Sequence, residues 1–223
     1  MIYVTGDTHG DITRLSKFKK LIRKQSDYLL VCGDFGFVWD GSKKEQNTIK
    51  KLEQLDCIIM FVEGCHDNLD LLSSYPLEQY CGGAVRRIAK NVYWMQRGEV
   101  FYIGNTTVFA LGGAESHDAD ERVQGDTWWP NELPSSEELE HASLILKSLN
   151  NKVDVVITHQ NPLFELGLIG KRPEYVNALT AFLEKLSKEL SFEHWYFGSE
   201  HLDKAISGKM TSIFEKIVPF VKK

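Results

Sequence analysis

The sequence predicts an α/β fold with parallel strands covered by helices, and three observations predict it. Short apolar runs alternate with amphipathic stretches through the first part of the chain. From residue 92 the rhythm changes to strands joined by tight turns. Histidine and aspartate recur where the predicted strands end, as expected of ligand-bearing loops at the carboxyl ends of strands in an open α/β sheet.

The elements follow in chain order. "IYVTGD" leads into "ITRLSKFKKLIRKQ", whose Leu15, Phe18, Leu21 and Ile22 recur at helical spacing. "YLLVCGD" leads into "KKEQNTIKKLEQL", and "CIIMFVEG" into "NLDLLSSY", completing a βαβ rhythm. "VYWMQRGEVFYIGNTTVFALGG" reads as an antiparallel meander turning at Arg97-Gly98 and Gly104-Asn105. "PSSEELEHASLILKSLN" supplies a helix whose start has a capping box at Ser135 and Glu138. The buried strand "VDVVITH", the helix "YVNALTAFLEKLSKEL" and the strand "HWYFGSEH" come next, and "KMTSIFEKIVPF" is expected to close the chain as a hairpin arm.

Bulk properties limit the functional classes. A chain of 223 residues, 43% hydrophobic and 26% charged, can fill the core of a single domain spanning 1–223. A net charge of -5, with no basic stripe interleaved with aromatics, argues against general nucleic-acid binding. No leader-like start and no membrane-length apolar run is present, so a soluble, cytoplasmic protein without a membrane partner is expected. The sequence carries no signal for oligomeric state. Cys32, Cys57, Cys65 and Cys81 form no C-x-x-C pair and read as free thiols.

The chemistry gathers at five strand exits. Asp7 and His9 follow the first strand, Asp34 the second, Cys65, His66 and Asp67 the third, His159 the run "VDVVIT", and His201 the run "HWYFGSE". In an extended segment Asp7 and His9 would point the same way, which suits two donors to one ion. Gly6, Gly33, Gly64 and Gly198 stand beside these donors, as needed where backbone turns sharply or a ligand comes close. Any one of these aspartates alone would read as a helix cap. Five repeats of the same placement, with His and Asp dominant, point to a metal site. His117, His141 and His194 fall outside this set.

"GDTHG" (6–10), "GD" (33–34), "GCHD" (64–67), "TH" (158–159) and "GSEH" (198–201) resemble, in order, the signature of the calcineurin-like metallophosphoesterases. The resemblance spans essentially the whole chain. It implies a four-layer α/β/β/α sandwich, two mixed sheets flanked by helices, with two divalent ions, Mn, Fe or Zn, between the sheets. Asp7, His9 and His201 would hold the first ion and Asp34 would bridge both. Cys65, Ser199 and His159 would surround the second. His66 would give a proton to the leaving oxygen, with Asp67 orienting it. The implied activity is hydrolysis of a phosphomonoester or phosphodiester by metal-bound hydroxide.

Two departures fall on the second ion, where the family usually has Asn in place of Cys65 and His in place of Ser199. A thiolate favours Zn²⁺ or Fe²⁺ over Mn²⁺ or Mg²⁺, so Cys65 reads either as a ligand that retunes the site or as a small apolar filler. The departures also motivate an alternative, a degenerate member that binds a nucleotide or protein without turnover. "GDFGFVWDG" lacks the arginine that protein phosphatases of the family carry after "GD". Residues 114–135 form a long connection and a candidate lid. Within it, Arg122 reads as a phosphate clamp or as the partner of a nearby acid, and Trp128 and Trp129 as a stacking wall or as a staple to the core. A small phosphorylated molecule is the expected substrate.

Overall fold

The central parallel strands, such as "YLLVC", "IIMFV" and "VVIT", are apolar on both faces, and the alternation along them decides which neighbour each face meets. The computed structural model describes residues 1–21, 26–162 and 176–222. The strands are β1 (Ile2–Thr5), β2 (Tyr28–Cys32), β3 (Ile58–Val62), β4 (Leu77–Tyr80), β5 (Gly83–Ala89), β6 (Val92–Met95), β7 (Glu99–Ile103), β8 (Thr106–Leu111), β9 (Val155–Thr158), β10 (His194–Phe197), β11 (Lys204–Ala205), β12 (Met210–Ser212) and β13 (Val218–Phe220). The helices are α1 (Ile12–Phe18), α2 (Lys43–Leu52), α3 (Leu69–Ser73), α4 (Ser136–Ser148) and α5 (Ala178–Glu189).

Two mixed sheets result. One runs β13-β1-β2-β3-β6-β5-β4, the other β11-β12-β10-β9-β8-β7. Leu29, Val31, Ile59 and Phe61 pack outward with Leu15 and Phe18 of α1, Leu52 of α2 and Leu72 of α3. Their neighbours Leu30, Cys32, Met60 and Val62 face Val108, Ala110, Val155 and Ile157 of the second sheet. Phe109, Leu111 and Val156 turn the other way, onto Ala142 and Leu146 of α4 and Leu179, Leu183 and Leu186 of α5. Period-two alternation thus builds helix, sheet, sheet and helix as four layers, the expected sandwich.

Local signals start the helices as read. Ser135 and Glu138 form the capping box of α4, and Asn177 with Thr180 forms another at α5. Leu15 and Phe18 are buried as the spacing predicts, Leu21 is exposed beyond the end of α1, and Ile22 lies outside the described residues.

Two expectations fail, both for the same reason. The meander from residue 92 is split. β6 belongs to the first sheet, pairing with β3 and β5, and only β7 and β8 pair as a hairpin. The chain crosses between sheets at Arg97-Gly98, where Gly98 adopts φ 78 against Ala142 of α4. The closing hairpin arm is split likewise: β12 lies parallel to β10, whereas β13 pairs antiparallel with β1 in the other sheet. Tight turns signal a change of direction, but pairing partners far away in sequence decide which sheet a strand joins. The strands β4 and β5 had no sequence reading.

β1, β2, β3 and β6 run parallel in the first sheet, and β8, β9, β10 and β12 in the second. The carboxyl ends of β1, β2, β3, β9 and β10 meet at one edge of the sandwich.

Candidate metal centre

Three residues at this edge hold strained backbone. His9, Asp34 and His201 have φ of 46, 42 and 50, and the other non-glycine residues with positive φ among the described residues are Cys81, Asn150 and Asn151. Left-handed conformations cost side-chain-bearing residues free energy and persist where surrounding structure imposes them. Here the imposition is visible. The carbonyl of Asp34 accepts from the amides of Thr8 (3.1 Å) and His9 (2.8 Å), pinning the first loop to the second. Asp7 and His9 therefore do not share a face by strand alternation, as the sequence reading supposed. They converge through a left-handed turn that leaves Asp7 buried and His9 exposed.

Ligand-type atoms of Asp7, His9, Asp34 and His201 all lie within 4.8 Å of one another. His9 Nε2 and His201 Nε2 are 3.1 Å apart, and His201 Nε2 is 3.0 Å from Asp7 Oδ2. Asp7 is fully buried, yet neither carboxylate oxygen has a hydrogen-bond partner of normal geometry among the described residues. A buried carboxylate left in this state is costly unless a cation completes it. His201 is held by a stacked Phe214 ring, 4.4 Å away at 14°, and Arg14 reaches the carbonyls of both Asp7 and Phe214. Sequence reasoning missed Arg14 and Phe214, which lie outside the motifs.

Asp34 is common to a second group with Cys65 and His66, again within 4.8 Å. His159 Nε2 stands 3.7 Å from Asp34 Oδ1, and its Nδ1 contacts the carbonyl of Cys32 at 3.0 Å. Glycines make this closeness possible: a Cβ on Gly33, whose φ is 102, would run into the His159 ring, and one on Gly64 into Asp34. Ser199 also faces this region, and its buried hydroxyl has no partner among the described residues. The donor set of acids, imidazoles and a thiol fits a divalent ion at each of two positions.

The electrostatics set the charge of the candidate ligands. Burial would raise the Asp34 carboxyl, but the His159 charge and the His66 hydrogen bond outweigh it and hold it below the usual carboxylate range. Burial would lower His159, but Asp34 and Asp7 hold its ring protonated well above the usual histidine range. Burial lowers His9, against the pull of Asp34 and Asp7, leaving a neutral imidazole. Burial would raise Cys65, but hydrogen bonds with His159 and His66 bring the thiol below its usual value. Cys65 is half-buried and faces these polar groups, unlike the fully buried Cys32.

His66 Nδ1 lies 2.8 Å from Asp34 Oδ2, and its amide donates to Asp34 Oδ1 at 2.8 Å. The hydrogen bond that the ring donates to Asp34 pushes it up to about 10. Arg122 Nη2 nevertheless approaches His66 Nε2 to 2.7 Å, a contact that needs a lone pair on that nitrogen. The geometry describes a ring with its proton on Nδ1. Asp67, expected to orient this ring, makes its hydrogen bonds elsewhere. Its buried carboxylate accepts from the amides of Phe35 (3.1 Å), Gly36 (2.8 Å) and Gly64 (2.9 Å), so it fixes the loops after β2 and β3 to each other.

Arg122 is brought to the site. Its side chain pairs with Asp118 at 2.8 Å and reaches the carbonyls of Cys65 and Thr127. Trp129 is a staple, buried edge-on to Trp39 at 5.4 Å, and neither Trp128 nor Trp129 lines the cavity. Ser116 and Glu132 close the base of the 114–135 segment through two hydrogen bonds of 2.8 and 2.6 Å. His117, which the sequence placed outside the set, lines the cavity, whereas His141 pairs with Glu99 and His194 with Thr211 elsewhere.

A search of curated proteins returns no match. Among solved structures, sulfate thiohydrolase SoxB of Thermus thermophilus, in complex with glycerol, is similar at 12% identity with a TM-score of 0.46, over 94% of this chain and 38% of that one. The sequence profile described as calcineurin-like phosphoesterase matches residues 1–208, and on that match the chain belongs to the calcineurin-like phosphoesterase family.

Proposed function

We propose that this protein hydrolyses a phosphoester with two divalent ions, one held by Asp7, His9, Asp34 and His201, the other by Asp34, Cys65 and His159 with help from Ser199. The observation that carries the reading is Asp7: fully buried, without a hydrogen bond of normal geometry at either oxygen among the described residues, and ringed by the imidazoles of His9, His159 and His201 and the carboxylate of Asp34. Ions bound there would polarise the phosphate oxygens and lower the pKa of a water molecule.

The chain's own groups supply the rest. Asp34 belongs to both candidate groups, and its charge would offset the mutual repulsion of two cations held there. Arg122 grips a phosphate oxygen with a guanidinium already aimed by Asp118 and by the Cys65 carbonyl. Once the phosphate takes over that guanidinium, His66 Nε2 is free to take up a proton, which the ring raised by Asp34 favours, and to pass it to the leaving oxygen. A P–O bond to water forms, the P–O bond to the alcohol breaks, and the products are alcohol and phosphate. No side-chain nucleophile is required. The expected substrate is a small molecule rather than a nucleic acid, given the net charge of -5, and the expected setting is the cytoplasm.

A second reading, a binding module without turnover, draws support from Ser199, because a hydroxyl is a weaker metal ligand than an imidazole. Hydrolysis of chromogenic phosphomonoesters and diesters with Mn²⁺, Fe²⁺ or Zn²⁺, against Asp34→Asn as the blank, separates the two. Activity well above the blank supports the enzyme. A broad panel with none supports the binding module.

A further inference from the structure

Of the four side chains proposed for the first ion, His201 is the most exposed, 49% against 36% for His9 and at most 2% for Asp7 and Asp34. Burial alone therefore does not fix its ring. A histidine that binds metal is ordinarily oriented by its second ring nitrogen, which donates to a carboxylate, a carbonyl or water. His159 follows that pattern, with Nδ1 3.0 Å from the Cys32 carbonyl. His201 does not: its Nε2 meets Asp7 and His9, and no described residue accepts from its Nδ1. What lies against the ring is the face of Phe214, 4.4 Å away and 14° from parallel.

Phe214 is itself held at both backbone ends. Its amide donates to Asp203 Oδ1 at 2.9 Å, and the same carboxylate accepts from the amides of Glu215 and Lys216 at 3.2 Å. Its carbonyl accepts from the Gly6 amide at 3.2 Å and from Arg14, whose guanidinium carbon also lies 4.9 Å over the ring. Gly6 precedes Asp7, and Asp203 follows His201 by two residues, so both loops that carry these ligands grip the segment bearing Phe214. A Cβ on Gly6 would collide with the Ile213 carbonyl, and glycine there lets that segment press against the first loop.

Resting on the two-ion reading of the site, we propose that Phe214 is a positioning residue for the first ion: its ring face, steadied by Arg14 and Asp203, keeps His201 Nε2 directed at the position shared with Asp7, His9 and Asp34. The stack does for His201 what the Cys32 carbonyl does for His159.

The test measures Zn²⁺ binding to the full chain by calorimetry. His201→Ala identifies the binding step that belongs to this position. Phe214→Leu keeps apolar bulk and removes the flat face, and it should weaken that step by about tenfold while leaving the other within about twofold. Phe214→Tyr restores the face and should recover the native affinity. In the His201→Ala background Phe214→Leu should change nothing further, because the ring it positions is gone. Phe214→Met, equally apolar and without a face, replaces Phe214→Leu if that variant does not fold. Native affinity in Phe214→Leu, no recovery in Phe214→Tyr, or the same loss with and without His201 overturns the positioning role and leaves the two-ion reading standing. Unchanged binding in His201→Ala removes that residue from the ligands, and the proposal falls with it. A native chain that binds no ion overturns the two-ion reading itself.

Discussion

His66 Nδ1 lies 2.8 Å from Asp34 Oδ2, so the candidate proton donor and the carboxylate common to both metal positions are joined by one hydrogen bond. The proton this bond holds on Nδ1 turns the other nitrogen, Nε2, toward the cavity and Arg122.

That arrangement predicts a split between chemistry and metal binding. His66→Ala should lower kcat by about 10²–10⁴ while the metal content per chain stays unchanged. Parallel measurement of turnover and bound metal checks it. Loss of metal in step with activity would assign His66 to the ligands.

Cys65 separates the two positions chemically. A thiolate beside Asp34 and His159 favours Zn²⁺, Fe²⁺ or Co²⁺ over Mn²⁺. The cobalt-loaded protein should show a sulfur-to-cobalt charge-transfer band in the near ultraviolet, and Cys65→Asn should lose it while gaining preference for Mn²⁺. An unchanged spectrum in Cys65→Asn would return Cys65 to a packing role.

The histidine charges give a pH dependence with a definite sign. Burial opposes but Asp34 and Asp7 raise the folded pKa of His159 above its ordinary value of about 6.5. In the metal-free protein its ion pairs are complete below that value and are lost as pH rises through the raised folded value. Coordination by His159 would require the neutral ring, so loading of its position should release a proton and the apparent affinity there should climb with pH beyond neutrality. Calorimetry in buffers of different ionisation enthalpy should show that release. The metal-free protein should also lose thermal stability on the alkaline side, and the loaded protein should not.

Arg97 ties the metal loops to the 114–135 segment. Its guanidinium meets the fully buried Glu63 at 2.6 Å and Glu138 at 3.0 Å, and it donates to the carbonyls of Asn131, Glu132 and Leu133. Glu63, which also accepts from Trp94 Nε1 at 2.5 Å, directly precedes Gly64 and Cys65. Arg97→Ala leaves that carboxylate buried and uncompensated and should cost about 3–5 kcal/mol of stability by denaturant titration. Arg97→Ala with Glu63→Gln should recover part of the loss.

The candidate site was more legible in the sequence than the topology was. Ligand-type residues announced themselves because each sits at a strand exit and all but His159 have a glycine nearby, as at Gly33 and Gly64, and both signals are local. The strands β4 and β5 escaped because their exposed edge carries Leu77 outward and Arg86 and Arg87 along one ribbon, so no apolar alternation marks them. The separation of β12 from β13 depends on β1, more than two hundred residues away, which no local pattern encodes. The roles of Asp118, Arg97 and Phe214 are contacts between segments and likewise carry no motif. For Arg122, the sequence offered a clamp or an ion pair, and in the structure it faces the cavity while pairing with Asp118.

The most direct test of the central claim is metal stoichiometry by elemental mass spectrometry after reconstitution with Mn²⁺, Fe²⁺ and Zn²⁺ and removal of loosely held ions. The account predicts two ions per native chain and a marked loss from Asp34→Asn, because that carboxylate serves both positions. One ion or none in the native chain, or two ions retained by Asp34→Asn, would contradict it.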